Sequence, residues 1–330
     1  MCIRDRHSPH RVPPELEARI VELRKAHPRW GPKKLRAYLQ RHEVQVHWPA
    51  TSTFGQILKR HGLVQRRKRR RRTPLYSDKL RNAEASNQVW CADYKGQFRL
   101  GNRRYCYPLT VTDHFSRYLL GCEALEHTRG DAAKSVFASL FTRHGLPEVI
   151  RTDNGAPFAS TGLWGLTPLS AWWIQLGIVH ERIEPAHPEQ NGTHERMHRT
   201  LKAEATRPPG RTLLQQQERF DAFQDEYNAD RPHEALDMKT PSDFYRESVR
   251  SYPGIQRPLC YPLHDLTRTV GACGRIHMLG PPRIYLGRAL RGQRVGLREL
   301  DDGRWLVSFA HLHLGTVNAA QSHFEPSDVT

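Results

Sequence analysis

The chain has 330 residues, enough for two or three domains that each bury a core of their own. It carries 51 Lys and Arg against 34 Asp and Glu, a formal net charge of +17. No apolar run approaches about 18 residues and no signal-peptide segment is evident, which predicts a soluble, cytoplasmic protein with no membrane partner. Its six Cys are scattered without a CxxC pair, which argues against a disulfide framework and a thiolate zinc site.

The positive charge is concentrated in the first 75 residues, which contain 20 Lys and Arg against 5 Asp and Glu. The rest of the chain is nearly balanced, with 31 basic and 29 acidic residues. A concentrated positive field favours nucleic acid as the partner, because displacing counterions from phosphates gives sequence-independent affinity. A membrane surface is the weaker alternative, since no amphipathic apolar stripe accompanies the charge.

Three short helices are predicted in this basic quarter. The first runs between Pro14 and Pro28, the second follows Pro32, and the third spans 52–61 with a Ser/Thr cap and stops at Gly62. Apolar residues recur at helical spacing and are expected inside: Leu16, Ile20, Leu23, Leu35, Leu39, Phe54, Ile57 and Leu58. Three short helices with basic outer faces are typical of a helix-turn-helix domain; an all-helical protein-binding module is the alternative.

The third helix and the basic run after it are the predicted DNA-binding elements. The residues expected to face the major groove are Thr53, Gln56, Lys59 and Arg60. The run RRKRRRR is expected to follow a phosphate backbone, with contacts from Arg66, Arg67, Lys68, Arg69 and Arg70. A nuclear-localisation role for this run has no other support. The first ten residues fit no helix pattern, and we interpret them as non-native sequence joined to a truncated reading frame.

The middle of the chain alternates strands and helices. Strands are predicted from about 87 to 94, 105–113, 118–124, 149–152 and 178–183, and helices at 129–144, 170–177 and 193–205. This order of elements predicts an α/β sheet with helices on its faces: three strands, a helix, a strand, a helix, a strand and a helix.

Three acidic residues occupy rigid positions in this pattern. Asp93 lies on the first strand, Asp153 follows a short buried strand, and a Glu lies one turn into the last helix. Anions that converge in a cleft repel one another, so they take up protons or bind hard cations. Carboxylate ligands without Cys favour Mg²⁺ or Mn²⁺ over Zn²⁺, and a pair of such ions suits phosphodiester chemistry.

Three segments resemble the catalytic blocks of DDE transposases and integrases, in particular those of bacterial insertion sequences. They are WCADYKG, IRTDNGAPF and HPEQNGTHERMHRTLK, and the resemblance extends from about Arg29 through RWGPKKLRAYL, HGLV, YNADRPHEAL and TPSDFY. It implies an α/β ribonuclease-H-like core with a mixed sheet flanked by helices, an all-α helix-turn-helix domain before it, and a small SH3-like β-barrel after it. It also implies a metal-binding triad of Asp93, Asp153 and Glu195 that holds two Mg²⁺ ions, for which Mn²⁺ can substitute.

The resemblance implies a transposase that binds the terminal inverted repeats of a mobile element and a target DNA. Such an enzyme cleaves DNA and joins the freed 3′-hydroxyl to a second duplex, and we expect a dimer or higher oligomer because two ends must be held together. In a bacterium it would act in the cytoplasm, at the nucleoid. The alternative is a domesticated DNA-binding regulator whose nuclease is inactive.

Two glutamates compete for the third position of the triad. Asp153 and Glu189 have 35 residues between them, close to the separation usual in the family, whereas Asp153 and Glu195 have 41 between them. We choose Glu195 because it starts a helix, whereas Glu189 lies in a Pro/Asn/Gly-rich loop that cannot hold a ligand rigidly. An insertion at 162–168 (GLWGLTP) accounts for the extra length.

Further DNA contacts are expected around this glutamate. On the same helical face as Glu195, a basic pair at i+4 and i+7 can grip phosphates, and the loop before it orders on DNA. The predicted contact residues are Gln190, Asn191, Arg199 and Lys202.

The segment HERMH formally matches the H-E-x-x-H pattern of zinc peptidases. Here Arg196 and its basic neighbours would crowd positive charge around a zinc ion, and the peptidase hypothesis leaves Asp93 and the basic quarter without a role. It therefore remains only a remote alternative. His194 and His198 are expected on the helix surface or facing DNA.

Structural roles are expected for other residues near these motifs. Asp113 should pair with Arg117 rather than bind metal, and the tryptophans at 172–173 should be core residues. Asn154 and Gly155 should shape the turn that presents Asp153, since both tolerate positive φ.

The remaining chain is predicted as a helical connector followed by about five short strands. The strands should close into a small barrel that contacts DNA or another protomer, or only stabilises the fold. The predicted boundaries are 1–72 for the helix-turn-helix domain and basic run, 73–86 for a linker, 87–210 for the catalytic core, 211–257 for the connector and 258–330 for the barrel.

Overall fold

The computed structural model describes residues 12–64, 80, 82–184, 192–255, 257–278, 283–318 and 323–327. The chain divides into two compact units. The first combines Met1–Leu75 with Asp225–Phe244, and the second combines Tyr76–Gln224 with Tyr245–Thr330. Across the described ranges, helices are too short or too polar to traverse a lipid bilayer.

The first unit is helical. Its N-terminal helices are α1 (Pro14–Ala26), α2 (Pro32–His42) and α3 (Thr51–Arg60). All eight apolar residues predicted to face inward belong to its core, with Leu16 partly buried. Trp30 and Trp48 complete that core. The three predicted helices are therefore confirmed.

The predicted Ser/Thr cap of the third helix is wrong. Helix α3 begins at Thr51, and its N-cap is Ala50, which makes no side-chain capping bond. The Ala50 carbonyl accepts the amides of Thr53 and Phe54. Burial of Phe54, Ile57 and Leu58 on one side of the helix takes the place of the cap, because tertiary packing is the larger source of helix stability.

The segment after the catalytic region completes the first unit. It contains a π-helical turn (Glu226–Asp230), a 3₁₀ turn (Glu234–Leu236) and a short helix that we number α8 (Pro241–Phe244). One ion pair and two histidine contacts tie this segment to the N-terminal helices: Arg41 with Asp243 at 2.6 Å, His27 with Glu226 at 3.0 Å, and His42 with Asp230 at 3.6 Å. The predicted helical connector therefore supplies part of the first unit.

The second unit is built on a mixed sheet. Its strands are β1 (Val89–Tyr94), β2 (Phe98–Arg99), β3 (Tyr105–Asp113), β4 (Leu119–Leu125), β5 (Val149–Thr152) and β6 (Val179–Arg182). Its helices are α4 (Gly130–His144), α5 (Pro168–Gln175), α6 (Gly192–Glu204) and α7 (Leu213–Asp225), of which α7 reaches the boundary between the units. β1 pairs antiparallel with β3 and parallel with β5, β5 pairs parallel with β6, and β4 and β2 add to β3.

The two faces of this sheet differ in chemistry. Trp90 and Ala92 of β1 belong to an apolar core with α4 and α5, which includes the predicted core tryptophans Trp172 and Trp173. Asp93 points to the opposite face, because successive strand residues alternate. There α6 packs against β3. The sheet with helices on both faces is the arrangement expected of a ribonuclease-H-like core.

The C-terminal strands surround a second apolar core. They are β7 (Leu266–Thr269), β8 (Arg275–His277), β9 (Arg283–Tyr285), β10 (Arg294–Glu299), β11 (Trp305–Phe309), β12 (Leu312–Asn318) and β13 (His323–Pro326). Hydrogen bonds join five of them in the order β13-β12-β11-β10-β7, and β8 pairs with β9 as a hairpin. Both sheets contribute to one core, together with Ala171 and Ile174 of α5. The predicted small β-domain is thus present.

Candidate active site

Asp93 and Asp153 lie side by side at the ends of two parallel strands. The last register pair of β1 and β5 joins Ala92 to Thr152, and each aspartate is the next residue along the chain, Asp93 within β1 and Asp153 directly after β5. Parallel strands end at the same edge of a sheet, and this edge is the usual place for ligands in α/β folds.

Glu195 reaches the same place from α6. It lies in the first turn of that helix and is exposed to solvent. Burial, followed by the charges of Asp153 and Glu195, raises the pKa of the Asp93 carboxyl to about 7, against the opposing effects of the Tyr94 amide and Lys95. The charges of both other carboxylates therefore act on Asp93, although among the described residues the ligand atoms that lie within 4.8 Å of one another are those of Asp93, His194 and His198.

The donor set fits a hard divalent cation. Asp93 is a partly buried carboxyl that feels two further negative charges. A cation removes that repulsion, and carboxylate oxygens are the ligands that Mg²⁺ and Mn²⁺ prefer. Asp93, Asp153 and Glu195 are the residues that would hold such ions.

The prediction that Asn154 and Gly155 use positive φ is wrong, since neither is among the residues with that conformation. Gly155 instead leaves space for the carboxylate of Asp153. A Cβ there would lie 3.0 Å from Oδ2 of Asp153, and the Gly155 amide donates to Oδ1 of Asp153 at 3.1 Å. The Asn154 side chain donates to the carbonyl of Ile183 at 2.7 Å, which ties the turn to the end of β6.

His194 and His198 are buried, so the expectation that they lie on the helix surface or face DNA is wrong. Their exposed fractions are only 1% and 6%. Nε2 of each imidazole lies 2.7 Å from the hydroxyl of Thr110, and Nδ1 of His194 lies 3.0 Å from the hydroxyl of Thr112. The physical reason is that α6 turns this side toward β3 and leaves Glu195 outside.

Both imidazoles are neutral at ordinary pH. Burial lowers the pKa of His194 to about 3 and that of His198 to about 2, with a smaller effect of neighbouring basic groups. His198 Nδ1 lies 3.6 Å from Oδ2 of Asp93, which is too long for a hydrogen bond. This contact is therefore not an ion pair, although the distance alone would allow one.

Sequence reasoning missed Thr110 and Thr112, the partners of these histidines. The signal was two threonines two residues apart in an otherwise apolar strand, which places both hydroxyls on one face. Thr110 is the register partner of Asp93 across β1 and β3. The strand pattern identified the face, but not the helix that would cover it.

A zinc-peptidase arrangement does not fit this geometry. Side-chain ligand atoms of Asp93, His194 and His198 do lie within 4.8 Å of one another. Both nitrogens of His194 are already bonded to threonine hydroxyls, however, and the motif glutamate points to solvent. The histidines form a hydrogen-bonded network rather than an open metal site.

Asp113 is structural, as expected, but its partners differ from the prediction. Its carboxylate accepts hydrogen bonds from the Asn87 amide and from both the amide and hydroxyl of Ser116, at 2.6–2.8 Å. Burial raises its pKa, and these donors oppose the shift, as does the nearby charge of Arg117. The guanidinium of Arg117 donates to the carbonyl of His114.

The predicted DNA-contacting residues of α3 differ in their surroundings. Thr53 is half-buried, whereas Gln56 and Lys59 are exposed. Arg60 pairs with Glu17 of α1 at 2.7 Å, so a contact with DNA would have to compete with that pair.

Exposed basic residues also accompany Glu195, since Arg199 and Lys202 of α6 face solvent. The other predicted contacts and the competing glutamate lie outside the described residues: Arg66, Arg67, Lys68, Arg69, Arg70, Glu189, Gln190 and Asn191.

Three family models match parts of the chain between residues 2 and 241. An integrase core domain matches residues 83–188, a second integrase core domain model matches 176–241, and a homeodomain-like domain matches 2–58. The first two matches cover β1 to α6 and the segment that follows. The third covers α1, α2 and most of α3.

Similar proteins come from insertion elements and retroviruses. An uncharacterized 31.7 kDa protein of insertion element IS407 from Burkholderia multivorans is 27% identical over 231 residues, 69% of this chain and 80% of that protein. An uncharacterized 39.2 kDa protein of IS476 from Xanthomonas euvesicatoria is 28% identical over 243 residues, 72% of this chain and 67% of that protein.

Among solved structures, a chain of a simian T-cell lymphotropic virus intasome in complex with a PP2A regulatory subunit matches with 18% identity and a TM-score of 0.44. The match covers 89% of this chain and 97% of that one. The chain thus carries an integrase core domain and a homeodomain-like N-terminal domain, and it is similar to proteins of bacterial insertion elements.

Proposed function

We propose that this protein is a transposase that binds the terminal inverted repeats of its element, cleaves the DNA and transfers the strand to a target. The observation that most supports the proposal is that Asp93 of β1 and Asp153 after β5 are neighbours across two parallel strands, with the charges of Asp153 and Glu195 both acting on Asp93. A protein that only binds DNA has no need for three acidic groups at one sheet edge, because such groups repel phosphates.

Asp93, Asp153 and Glu195 would hold two Mg²⁺ ions, and Mn²⁺ would substitute for them. When bound, the ions would supply activation of the attacking oxygen and stabilisation of the leaving one. The protein holds the three oxygens on rigid elements, namely the ends of β1 and β5 and the first turn of α6. This rigidity keeps the ligands in place before DNA arrives.

Exposed basic groups would position DNA beside the carboxylates. Arg199 and Lys202 follow Glu195 at i+4 and i+7 on α6 and are exposed. Gln190 and Asn191 precede this helix and are proposed to contact DNA near the scissile phosphate. These contacts attract phosphates and orient them, and they supply no proton or nucleophile.

Recognition of the repeats is assigned to α3 and the basic run after it. Gln56 and Lys59 present exposed side chains on α3, Thr53 and Arg60 lie beside them, and the run at 66–70 would follow the backbone. Binding should weaken steeply with salt, with a slope near −0.9 for each phosphate neutralised.

The test uses purified protein and duplex oligonucleotides that carry the ends of the element found around the gene. Mg²⁺-dependent nicking at the repeat boundary and joining to a second duplex are the expected results, together with retention of two ends in a dimer or higher oligomer by light scattering. End binding without cleavage in Mg²⁺ or Mn²⁺ would refute the proposal and favour the alternative, a regulator with an inactive nuclease.

We propose the five predicted domain boundaries (1–72, 73–86, 87–210, 211–257 and 258–330) as starting points for truncation experiments. A protein that ends at residue 224 would lack the segment that pairs with α1 and α2, so the isolated N-terminal domain should be made with residues 225–244 supplied.

A further inference from the structure

We propose that His198 and Thr110 are positioning residues that keep the Asp93 carboxylate available to a divalent cation. His194 and Thr112 complete the same group, which we call the His–Thr network. The inference rests on the proposed function, since it assigns a role toward the cation that the three carboxylates would hold.

The hydroxyl of Thr110 is the centre of this network. It donates to the backbone carbonyl of Asp93 at 3.1 Å, and Nε2 of both His194 and His198 lies 2.7 Å away. A hydroxyl has one proton and two lone pairs. All three contacts are satisfied when Thr110 donates to Asp93 and each Nε2–H donates to Thr110.

These hydrogen bonds place the proton of His198 on Nε2, the nitrogen that faces Thr110, and leave Nδ1 toward Asp93. Nε2 of His198 is bonded to Thr110, and Nδ1 lies 3.6 Å from Oδ2 of Asp93, a distance too long for a hydrogen bond. The imidazole therefore gives the Asp93 carboxyl no hydrogen bond from the helix side. The oxygens of Asp93 remain for a cation on the side of Asp153 and Glu195.

The network also sets the position of α6 against the sheet. His194 binds Thr110 through one nitrogen and Thr112 through the other, at 2.7 and 3.0 Å. Because Glu195 directly follows His194, these two bonds fix the position of the Glu195 backbone relative to β3 and Asp93. Residues of this kind, one step removed from a metal, commonly change metal affinity by about 10- to 100-fold when they are lost.

The test measures Mn²⁺ binding to the full chain by calorimetry, without DNA, and then the Mg²⁺ dependence of end cleavage. Thr110→Val and His198→Ala should each weaken Mn²⁺ binding by roughly tenfold. The Mg²⁺ concentration for half-maximal cleavage should rise in parallel, while the rate at saturating Mg²⁺ falls less.

Conservative variants separate positioning from packing. Thr110→Ser keeps the hydroxyl, and His198→Gln keeps an amide that can reach Thr110, so both should remain within about threefold of the wild-type affinity. Met197→Ala is the matched control, because Met197 is buried on α6 and is absent from the network. It should lower thermal stability without changing the Mn²⁺ affinity.

Unchanged Mn²⁺ binding in folded Thr110→Val and His198→Ala would overturn this inference alone, because the wild type would still bind and cleave. A wild type that binds no Mn²⁺, or an Asp153→Asn variant that binds it as the wild type does, would overturn the proposed function as well. If Thr110→Val or His198→Ala fails to fold, Thr112→Val tests the network at its outer bond, and an affinity equal to the wild type would overturn it.

Discussion

Two aspartates on neighbouring strands show how the surroundings of a carboxyl decide its use. Asp93 of β1 and Asp113 of β3 lie on strands that pair with each other, and burial raises the pKa of both. Asp113 is fully buried and accepts three hydrogen bonds from Asn87 and Ser116. Asp93 is 22% exposed, and the charges of Asp153 and Glu195 add to the effect of burial on its pKa.

The difference lies in what surrounds each charge. Donors from the protein already satisfy Asp113, so that carboxylate stabilises the fold and needs no ligand. Asp93 lies among like charges, an arrangement that costs free energy in the absence of a cation. A carboxyl of the second kind, at the end of a strand, indicates a site for chemistry.

Loss of activity in Asp93→Asn is the largest expected effect. The amide removes one anionic ligand and one source of repulsion, so cleavage and joining should fall to background while the melting temperature stays the same or rises. End binding should persist in a gel-shift assay. Loss of end binding together with normal cleavage would show that Asp93 has been misassigned.

The two candidate glutamates offer the next test. Glu195→Gln should also reduce cleavage to background, because it removes the ligand on α6, whereas Glu189→Gln should retain activity within about a few fold, as expected of a residue outside the metal site. Both are measured with the same labelled end duplex. The reverse pattern would transfer the third position of the triad to Glu189.

Asp113→Ala should affect stability rather than chemistry. It leaves the Asn87 amide and the amide and hydroxyl of Ser116 without an acceptor in a buried position, which should cost about 3 kcal/mol. Denaturant unfolding of the full chain, followed by the fluorescence of the core tryptophans, measures this change. Cleavage per folded molecule should be retained, and a selective loss of cleavage would make Asp113 part of the active site.

A smaller effect is expected when Asp153 is displaced without being removed. The added Cβ of Gly155→Ala would lie 3.0 Å from Oδ2 of Asp153, which must move by a few tenths of an ångström. Cleavage should fall by roughly tenfold, because small misplacements of catalytic groups are costly. Gly162→Ala is the control, since its nearest contact is the side chain of Ser160. Equal rates in both variants would contradict a positional role for Gly155.

The smallest effect is expected at Asp243 of α8, whose carboxyl pairs with Arg41. Its pKa is lowered, whereas the pKa values of Asp93 and Asp113 are raised. The hydrogen bond from Arg41 lowers its pKa from 3.8 to about 2, with help from Thr240. Its stabilisation is therefore complete above the unfolded pKa and is lost as the pH falls toward 2. Asp243→Asn should cost about 0.5 kcal/mol at pH 7, since this pair is largely at the surface. Thermal melts from pH 7 to 3 should show the difference from wild type shrinking, and a constant difference would exclude the pair as its cause.

Much of the fold followed from the sequence, because the deciding signals are local. Strand alternation, helix spacing and turn residues placed the elements of both units, whereas the choice of Asp93, Asp153 and Glu195 as a triad came from the resemblance to DDE transposases and stays a prediction. The tryptophans at 172–173 were assigned to the core because they lie in a helix that is apolar on nearly every side. No tertiary information is needed for such patterns.

Tertiary structure decided which side of each element is covered. Helix α6 is polar on several sides, so the spacing of its apolar residues could not show which side is buried. His194 and His198 turn toward Thr110, while Glu195 stays exposed. The space beside Asp153 that requires Gly155, and the joining of residues 225–244 to the first helices, depend on contacts between distant parts of the chain. A sequence pattern records the period of an element, whereas burial and hydrogen-bond partners depend on the neighbours that folding brings to it.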